Sequence, residues 1–368
     1  MHKQPDYISQ LDGLRAIAIA LVIIFHWFPE GEGINRIANG PLGVTLFFVL
    51  SGFLITRILL ANRNYLGEQG FAGVYKNFMI RRMLRIFPLY YLTLLLVWLV
   101  QYVSFIPKIS TQLYSNPLYY VLYLSNFLIE KLHDWSDVLS PFWSLAVEEQ
   151  FYILWPVVML ITPSLYVKRV IISTIFLGVA SRLVFSVYSL DEGVLMPTCL
   201  DAFGLGALWA YVLYYNNAPE KFLRILKIAA LPALLLFVII CFGYGGIMLK
   251  TILFRTSMSV FCLYLVATAS YGSGFKSIFG KILNTSPLKY IGKVSYGLYV
   301  YHMLVPALVI PLIVKLAGRF LHIELTVNGF TGVLFAFVVL MVVASLSWYC
   351  FEAPFNNLKR FFQLKRNK

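Results

Sequence analysis

The chain has 368 residues, of which 60% are hydrophobic and 12% charged, with a formal net charge of +14 and a mean hydropathy of +0.78. Soluble globular domains do not reach this apolar fraction, so most of the chain lies in lipid or packs against helices that do. The positive charge does not point to nucleic acid, because the lysines and arginines are dispersed between apolar stretches and not gathered into one basic domain.

The first apolar run, Leu11–Phe28, follows a polar start and has no small-residue cleavage site, which predicts a retained helix; no lipidation motif is visible. Arg15 and His26 lie inside this run. Eleven residues of α-helix turn through about 1100°, so both side chains project from one face, separated by ~16 Å along the axis. Ionisable groups at membrane depth are costly and usually line a cavity or a substrate path. The plain alternative is an arginine snorkelling to the interface and a histidine bonded to a neighbouring helix.

Further apolar segments run Leu42–Leu60, Ile86–Val103, Phe142–Ile161, Val170–Tyr188, Pro197–Tyr215, Ile228–Phe242, Thr251–Tyr271, Ile291–Val314 and Gly329–Phe351. Crossing the hydrocarbon core takes about 20 residues. The expected fold class is therefore an all-α integral membrane protein of about ten transmembrane helices. Leu118–Ile129 is too short to span and rich in tyrosine, and is expected to be re-entrant or interfacial.

Basic residues set the sidedness. With the short stretch not crossing, one set of loops carries 21 lysines and arginines and the opposite set 6. The positive-inside rule then places both termini in the cytoplasm, in an inner cell membrane. No linker, repeat or low-complexity tract divides the chain, so residues 1–368 are expected to form one membrane-embedded domain without a separate soluble module. Cys199, Cys241, Cys262 and Cys350 sit singly in apolar stretches and read as buried small hydrophobes, with no metal site or disulfide framework expected.

Several constellations can carry chemistry. Arg82 and Arg85 are three apart, hence neighbours on a helix face at the expected cytoplasmic surface, where two guanidiniums make a receptor for phosphate. Topological arginines that bind lipid headgroups are the plain alternative. Glu148 and Tyr152 share a helix face at i, i+4, while Glu149 points about 100° away and reads as an interfacial acid favoured by the helix dipole. Glu148 can orient a histidine or raise its basicity. Ser295, Tyr299 and His302 follow i, i+4, i+7 and form a polar stripe, with His302 either a second functional imidazole or a bonded core residue. Asp201 can pair with Arg182 or Arg255, a structural ion pair, and Glu352 can answer a Lys or Arg at the cytoplasmic surface.

In order, these segments resemble the membrane-bound acyltransferase-3 family of bacterial carbohydrate O-acyltransferases. The likeness is carried by Leu11-Asp12-Gly13-Leu14-Arg15-Ala16 with His26, by Phe47-Phe48-Val49-Leu50-Ser51-Gly52-Phe53-Leu54-Ile55, and by Arg82-x-x-Arg85 with Pro88. It continues in Trp143-Ser144-Leu145 with Glu148 and Phe151-Tyr152, in Ser295-Tyr296-Gly297-Leu298-Tyr299 with His302, and in Phe351-Glu352-x-Pro354. One departure is Cys199 where relatives often carry an Arg two residues before the Asp, here Asp201.

The resemblance implies ten spanning helices and transfer of an acyl group, usually acetyl, from cytoplasmic acyl-coenzyme A to a sugar hydroxyl outside. It further implies His26 as general base with Glu148 orienting the imidazolium, Arg82 and Arg85 on the donor phosphates, and Arg15 along the pantetheine path. Trp143, Ser144, Tyr152, Ser295, Tyr296, Tyr299 and His302 take substrate-binding or supporting places. Acetyl-CoA as donor, a glycan or lipid-linked glycan as acceptor, and membrane lipid are the expected partners. A transporter or flippase of a glycolipid or acyl species, with the intramembrane charges forming its pathway, is the runner-up.

Overall fold

The computed structural model describes residues 7–29, 31–188, 193–322 and 329–364. Lys3, Lys365, Arg366 and Lys368, which enter the charge asymmetry, lie outside the described residues. In chain order the helices are α1 Ser9–Trp27, α2 Asn39–Asn62, α3 Leu66–Val100, α4 Pro117–Val121, α5 Ser125–Leu132, α6 Phe142–Ile161, α7 Val167–Val187 and α8 Leu200–Tyr214. There follow α9 Pro219–Cys241, α10 Gly246–Ser270, α11 Ile278–Leu283, α12 Ser286–Lys293, α13 Ser295–Tyr301, α14 Ile310–Leu316, α15 Gly329–Ser347 and α16 Ala353–Asn357. No strand occurs among the described residues.

Among these residues eight helical stretches are long and apolar enough to cross a membrane, or nine if the bent pair Ser295–Tyr301 and Val305–Phe320 is one span. The longest of them, Asn39–Val100, runs 62 residues and holds both α2 and α3, the second and third crossings expected from hydropathy. The chain is a multi-pass, all-helical membrane protein. The short tyrosine-rich stretch is two helices of five and eight residues, which at ~1.5 Å per residue cannot span.

Helix limits differ from the hydropathy windows where polar sequence stays helical. α3 starts at Leu66 and is kinked at Gly70, φ 66° and ψ 171°; beyond it the helix runs through polar residues ahead of the apolar window, with no proline until Pro88 and with Val74 and Phe78, four apart, as a buried stripe. The span expected over Ile291–Val314 is instead interrupted: α12 ends at Lys293, and the helix that starts at Ser295 bends by 51°. Pro306 follows that bend, and a proline there lacks the N–H that would reach the His302 carbonyl one turn back.

The chain divides into two compact units. The first takes in the described residues up to Asn77, Val147–Lys293 and Leu364. Its centre is α2, which packs against α1, α8 and α10. At the α2–α8 crossing an added Cβ on Gly52 would meet the Phe203 carbonyl oxygen at 2.0 Å, and one on Gly206 the Val49 oxygen at 2.1 Å. Two missing side chains therefore let the backbones touch, the small-residue mode of helix association in lipid. Phe203 stacks on Phe48 and on Phe151 at 4.7 and 4.1 Å, and Trp155 Nε1 donates to Thr56 Oγ1 at 2.8 Å, which brings the second half of α6 to α2. α7 and α9 present large apolar side chains such as Phe176, Ile228 and Leu231 outward, where the hydrocarbon receives them.

The second unit is Phe78–Ala146 and Val294–Gln363. Tyr123 adopts a left-handed conformation, φ 54°, that breaks α4 from α5. The turned-back segment is pinned by Tyr90, which stacks on Tyr123 at 4.1 Å and donates its hydroxyl to the Tyr120 carbonyl at 2.7 Å. Tyr120 in turn donates to Asp137, whose carboxylate also accepts the Gln112 and Leu139 amides. Burial, then the Asp137 charge, raises the Tyr120 phenol above its ordinary pKa, so it stays a donor. α13 packs on α15.

Candidate active site

His26 occupies the last turn of α1 and is half-buried. Its Nδ1 lies 2.9 Å from the Val22 carbonyl oxygen. A carbonyl only accepts, so Nδ1 carries the proton in this contact, and whenever the ring is neutral its lone pair is on Nε2. The Phe25 ring meets the imidazole edge-on at 5.2 Å. The turn itself is held by Asn35, which is buried and whose Nδ2 donates to the Phe28, Phe25 and Ile24 carbonyls at 2.8, 3.2 and 3.4 Å. Asn39 holds Asn35 in place, its Nδ2 donating to Asn35 Oδ1 at 2.9 Å. Carbonyls that a helix end leaves orphaned are thus satisfied by one side chain. Nothing in the spacing around His26 signals Asn35, which follows in a 3-10 turn, Gly33–Arg36, too short to have a period of its own.

Removing that amide should loosen the imidazole. Asn35→Ala is expected to cost about 1–3 kcal/mol of stability and, by displacing His26, to lower turnover by about 10- to 100-fold. Thermal unfolding in detergent reads the first and kcat the second; unchanged kcat in a destabilised protein would make Asn35 a cap and nothing more.

At the other end of α1, Arg15 is joined to Asp12 three residues earlier, and Asp12 Oδ2 also accepts the Tyr7 hydroxyl at 2.5 Å. The bond to Asp12 is the main reason the Tyr7 phenol is pushed up to about 12. Arg15 therefore enters the membrane region with a carboxylate beside it.

Glu148 sits on α6 with both carboxylate oxygens engaged. Ser51 Oγ on α2 donates to Oε1 and Tyr152 to Oε2, each at 2.9 Å, and Ser51 Oγ and the Tyr152 hydroxyl lie 2.9 Å apart. With one proton each, the two hydroxyls both serve the carboxylate, and these two bonds fix its rotamer. The i, i+4 pair is visible in the sequence, but Ser51 comes from 97 residues away. Glu149 is not the interfacial acid expected from helix position: it is 2% exposed, because it lies two turns inside α6 and on a packed face.

In the second unit Arg82 and Arg85 lie on α3 as expected, Arg85 exposed and the Arg82 guanidinium 5.6 Å from the Phe78 ring centroid. The charges of Arg81, Arg82 and Arg85 all act on Lys359, whose Nζ donates to Asn356 Oδ1. Three arginines and the Lys359 amine thus act on one another where the spacing suggests a pair. Glu352 accepts Ser347 Oγ at 3.1 Å and feels the Arg85 charge.

The polar stripe of α13 is resolved residue by residue. The Tyr299 hydroxyl lies 2.5 Å from Ser144 Oγ and donates to the Pro141 carbonyl at 2.8 Å. Tyr296 donates to the Ile86 carbonyl at 2.8 Å and Ser295 is buried. His302 is 1% exposed, with Nδ1 2.6 Å from the Tyr299 carbonyl, which favours the bonded core residue over a second functional imidazole. Trp143 meets Trp135 edge-on at 6.4 Å.

Two remaining pairings are decided. Asp201 pairs with Arg182, not Arg255: the salt bridge is 3.0 Å and both are buried. Arg255 instead donates to Cys199 Sγ and to the Gly193 carbonyl. All four cysteines are free thiols; Cys199 and Cys262 are buried as expected, whereas Cys241 is half-buried and Cys350 exposed on an outward helix face. Among the described residues no group of three or more His, Cys, Asp or Glu is placed to hold a metal ion.

Comparison with known proteins adds a family and several relatives. The acyltransferase-3 model, described as an acyltransferase domain, matches residues 8–350. The chain is 29% identical to the peptidoglycan O-acetyltransferase OatA of Listeria monocytogenes, over 95% of this chain and 56% of that protein. It is 31% identical to YrhL of Bacillus subtilis, over 95% of this chain and 55% of that one, and 27% identical to the O-acetyltransferase OatA of Staphylococcus aureus, over 99% and 60%. The chain thus spans between 55% and 60% of the length of these curated relatives. No solved structure matches it.

Proposed function

The chain belongs to the acyltransferase-3 family, and on that premise we propose that it transfers an acetyl group from acetyl-coenzyme A to a hydroxyl of a cell-envelope glycan. Peptidoglycan is the acceptor that the name of the Listeria relative suggests. The observation that carries this reading is the 2.9 Å contact between His26 Nδ1 and the Val22 carbonyl oxygen. A neutral imidazole with Nδ1–H committed to the Val22 carbonyl offers Nε2 as a base.

In the step proposed, the acceptor O–H proton passes to His26 Nε2 as the oxygen bonds to the thioester carbonyl carbon. The C–S bond then breaks, and the leaving thiolate recovers the proton from the imidazolium. Ester and thiol are the products, and His26 ends neutral. Glu148, locked by Ser51 and Tyr152, contributes a fixed negative charge that favours the imidazolium. Arg82 and Arg85, with Arg81 and Lys359, receive donor phosphates, and Arg15 lines the donor's approach on the face of α1 that carries His26. Trp143, Ser144, Ser295, Tyr296, Tyr299 and His302 support the fold around the reaction. The protein is proposed to lie in the inner membrane with cytoplasmic termini, which puts the arginine cluster on the donor's side.

Purified protein in detergent, given labelled acetyl-CoA and peptidoglycan fragments, should form alkali-labile acetyl esters on the glycan. Transport has no meaning there, so absence of ester would leave the transporter reading. Arg82→Ala with Arg85→Ala should raise the KM for acetyl-CoA at least tenfold, since charge-assisted bonds are worth about 1.5–3 kcal/mol each. A loss confined to kcat would contradict the phosphate role.

A further inference from the structure

Within the first unit, a cavity of about 340 Å³ is lined by the start of α1, by Arg57 of α2, and by the end of α10 with the loop after it. None of the sequence motifs accounts for it. Its wall carries Tyr7, Ser9, Gln10, Arg57, Ser273 and Asn284 and, among the described residues, no carboxylate. The volume falls within the range of small-molecule sites and is several times what a lone phosphate fills.

The wall is built and not incidental. Gln10 clamps the loop from both sides: its Nε2 donates to the Phe275 carbonyl at 3.1 Å and its Oε1 accepts the Phe275 amide at 2.9 Å. The loop turns through Gly274, φ 70°, where a Cβ would meet Gln10 Oε1 at 2.4 Å, so only glycine allows the clamp. Ser9 Oγ donates to Asn284 Oδ1 at 2.7 Å, leaving the Asn284 Nδ2 as a donor on the wall. Tyr7 is 73% exposed, yet its hydroxyl is tied to Asp12, which presents the ring as a fixed aromatic face.

One guanidinium, an aromatic face and an amide donor, with no carboxylate among the described lining residues, match one ligand chemistry. We infer that this cavity binds a phosphorylated nucleoside, with Arg57 on the phosphate, the Tyr7 ring against the base and Asn284 on a polar edge. Arg57 answers the dianion by charge-assisted hydrogen bonds. The ring supplies stacking area that every purine can use. Two sources carry this chemistry: the adenosine 3′-phosphate end of the coenzyme A donor, and a free nucleotide. The donor source rests on the acetyl-CoA reading above; nucleotide binding itself does not.

The test uses the full chain in detergent and 3′,5′-ADP as the probe. Calorimetric titration should show saturable binding to the wild type, weakened about tenfold or more in Arg57→Gln and in Tyr7→Ala. Arg57→Lys and Tyr7→Phe should each lose less, because a charge or a ring remains; they also serve where a stronger variant melts early. No binding to folded wild type, or equal binding by Arg57→Gln and Tyr7→Ala, would overturn the site. Steady-state kinetics then separates the sources. If the donor headgroup is the ligand, Arg57→Gln raises the KM for acetyl-CoA and narrows its advantage over acetyl-pantetheine, which lacks the nucleotide. If the ligand is a free nucleotide, 3′,5′-ADP binding falls with the KM for acetyl-CoA unmoved. Should no acetyl donor turn over at all, the acyl-transfer reading fails while the titration still decides the cavity.

Discussion

His26→Gln is expected to lower acetyl transfer by about 10²- to 10⁴-fold, the range that positioned general-base catalysis supplies. Glutamine keeps a side-chain amide near the Val22 carbonyl but has no lone pair basic enough to accept the acceptor's proton. The helix should survive, because the α1 turn is capped by Asn35 and not by the imidazole. Donor binding, read by equilibrium titration of coenzyme A, should therefore change little while kcat collapses. Retained turnover in a folded His26→Gln protein would remove the imidazole from the chemistry. Glu148→Gln should fall between this variant and the wild type, since it keeps the bonds to Ser51 and Tyr152 in part but loses the charge.

Asp201→Ala should produce the largest loss of stability, about 3–5 kcal/mol. Arg182 sits at the junction of α7, α8 and α10. Its guanidinium donates to Asp201, to Thr256 Oγ1 at 2.6 Å, and to the Thr198, Thr251 and Ile252 carbonyls at 2.8, 3.2 and 3.2 Å. Thr256 Oγ1 completes the network by donating to the Asp201 carboxylate at 2.8 Å. Deleting the carboxylate strands a buried cation, which costs more than the pair contributes. Arg182→Leu with Asp201→Leu should recover part of the loss and not all, because the three backbone carbonyls then lose their donor. Thermal unfolding of the three proteins in one detergent measures this. An Asp201→Ala protein as stable as the wild type would mean that the network is solvated and not structural.

These two sites also mark what sequence reading reaches. Arg15 and His26 stand out because ionisable residues interrupt an apolar run, and the i, i+4 spacing of Glu148 and Tyr152 places them together on any helix. Ser51, Asn35 and Lys359 do not stand out, since each meets its site through tertiary contact and a lone serine, asparagine or terminal lysine has no periodic signature. The same limit explains Glu149: its neighbour Glu148 faces Ser51, but only packing decides which of two adjacent acids is buried. Asp201 was readable as half of an ion pair, while the choice of Arg182 over Arg255 depends on how α7 and α10 cross. Helix ends depart from the hydropathy windows where hydropathy and hydrogen bonding part company. α3 stays helical through polar residues before the membrane, and the span at α13 bends ahead of Pro306 within an apolar stretch that looks continuous.

The pH dependence of kcat/KM at saturating donor tests the role of the imidazole most directly. A base must be neutral to take a proton, so activity is present above the imidazole's titration and is lost as pH falls through it. Wild type should show an acid limb of unit slope, and the residual activity of His26→Gln should be flat across the same range. An identical acid limb in both proteins would place the base elsewhere.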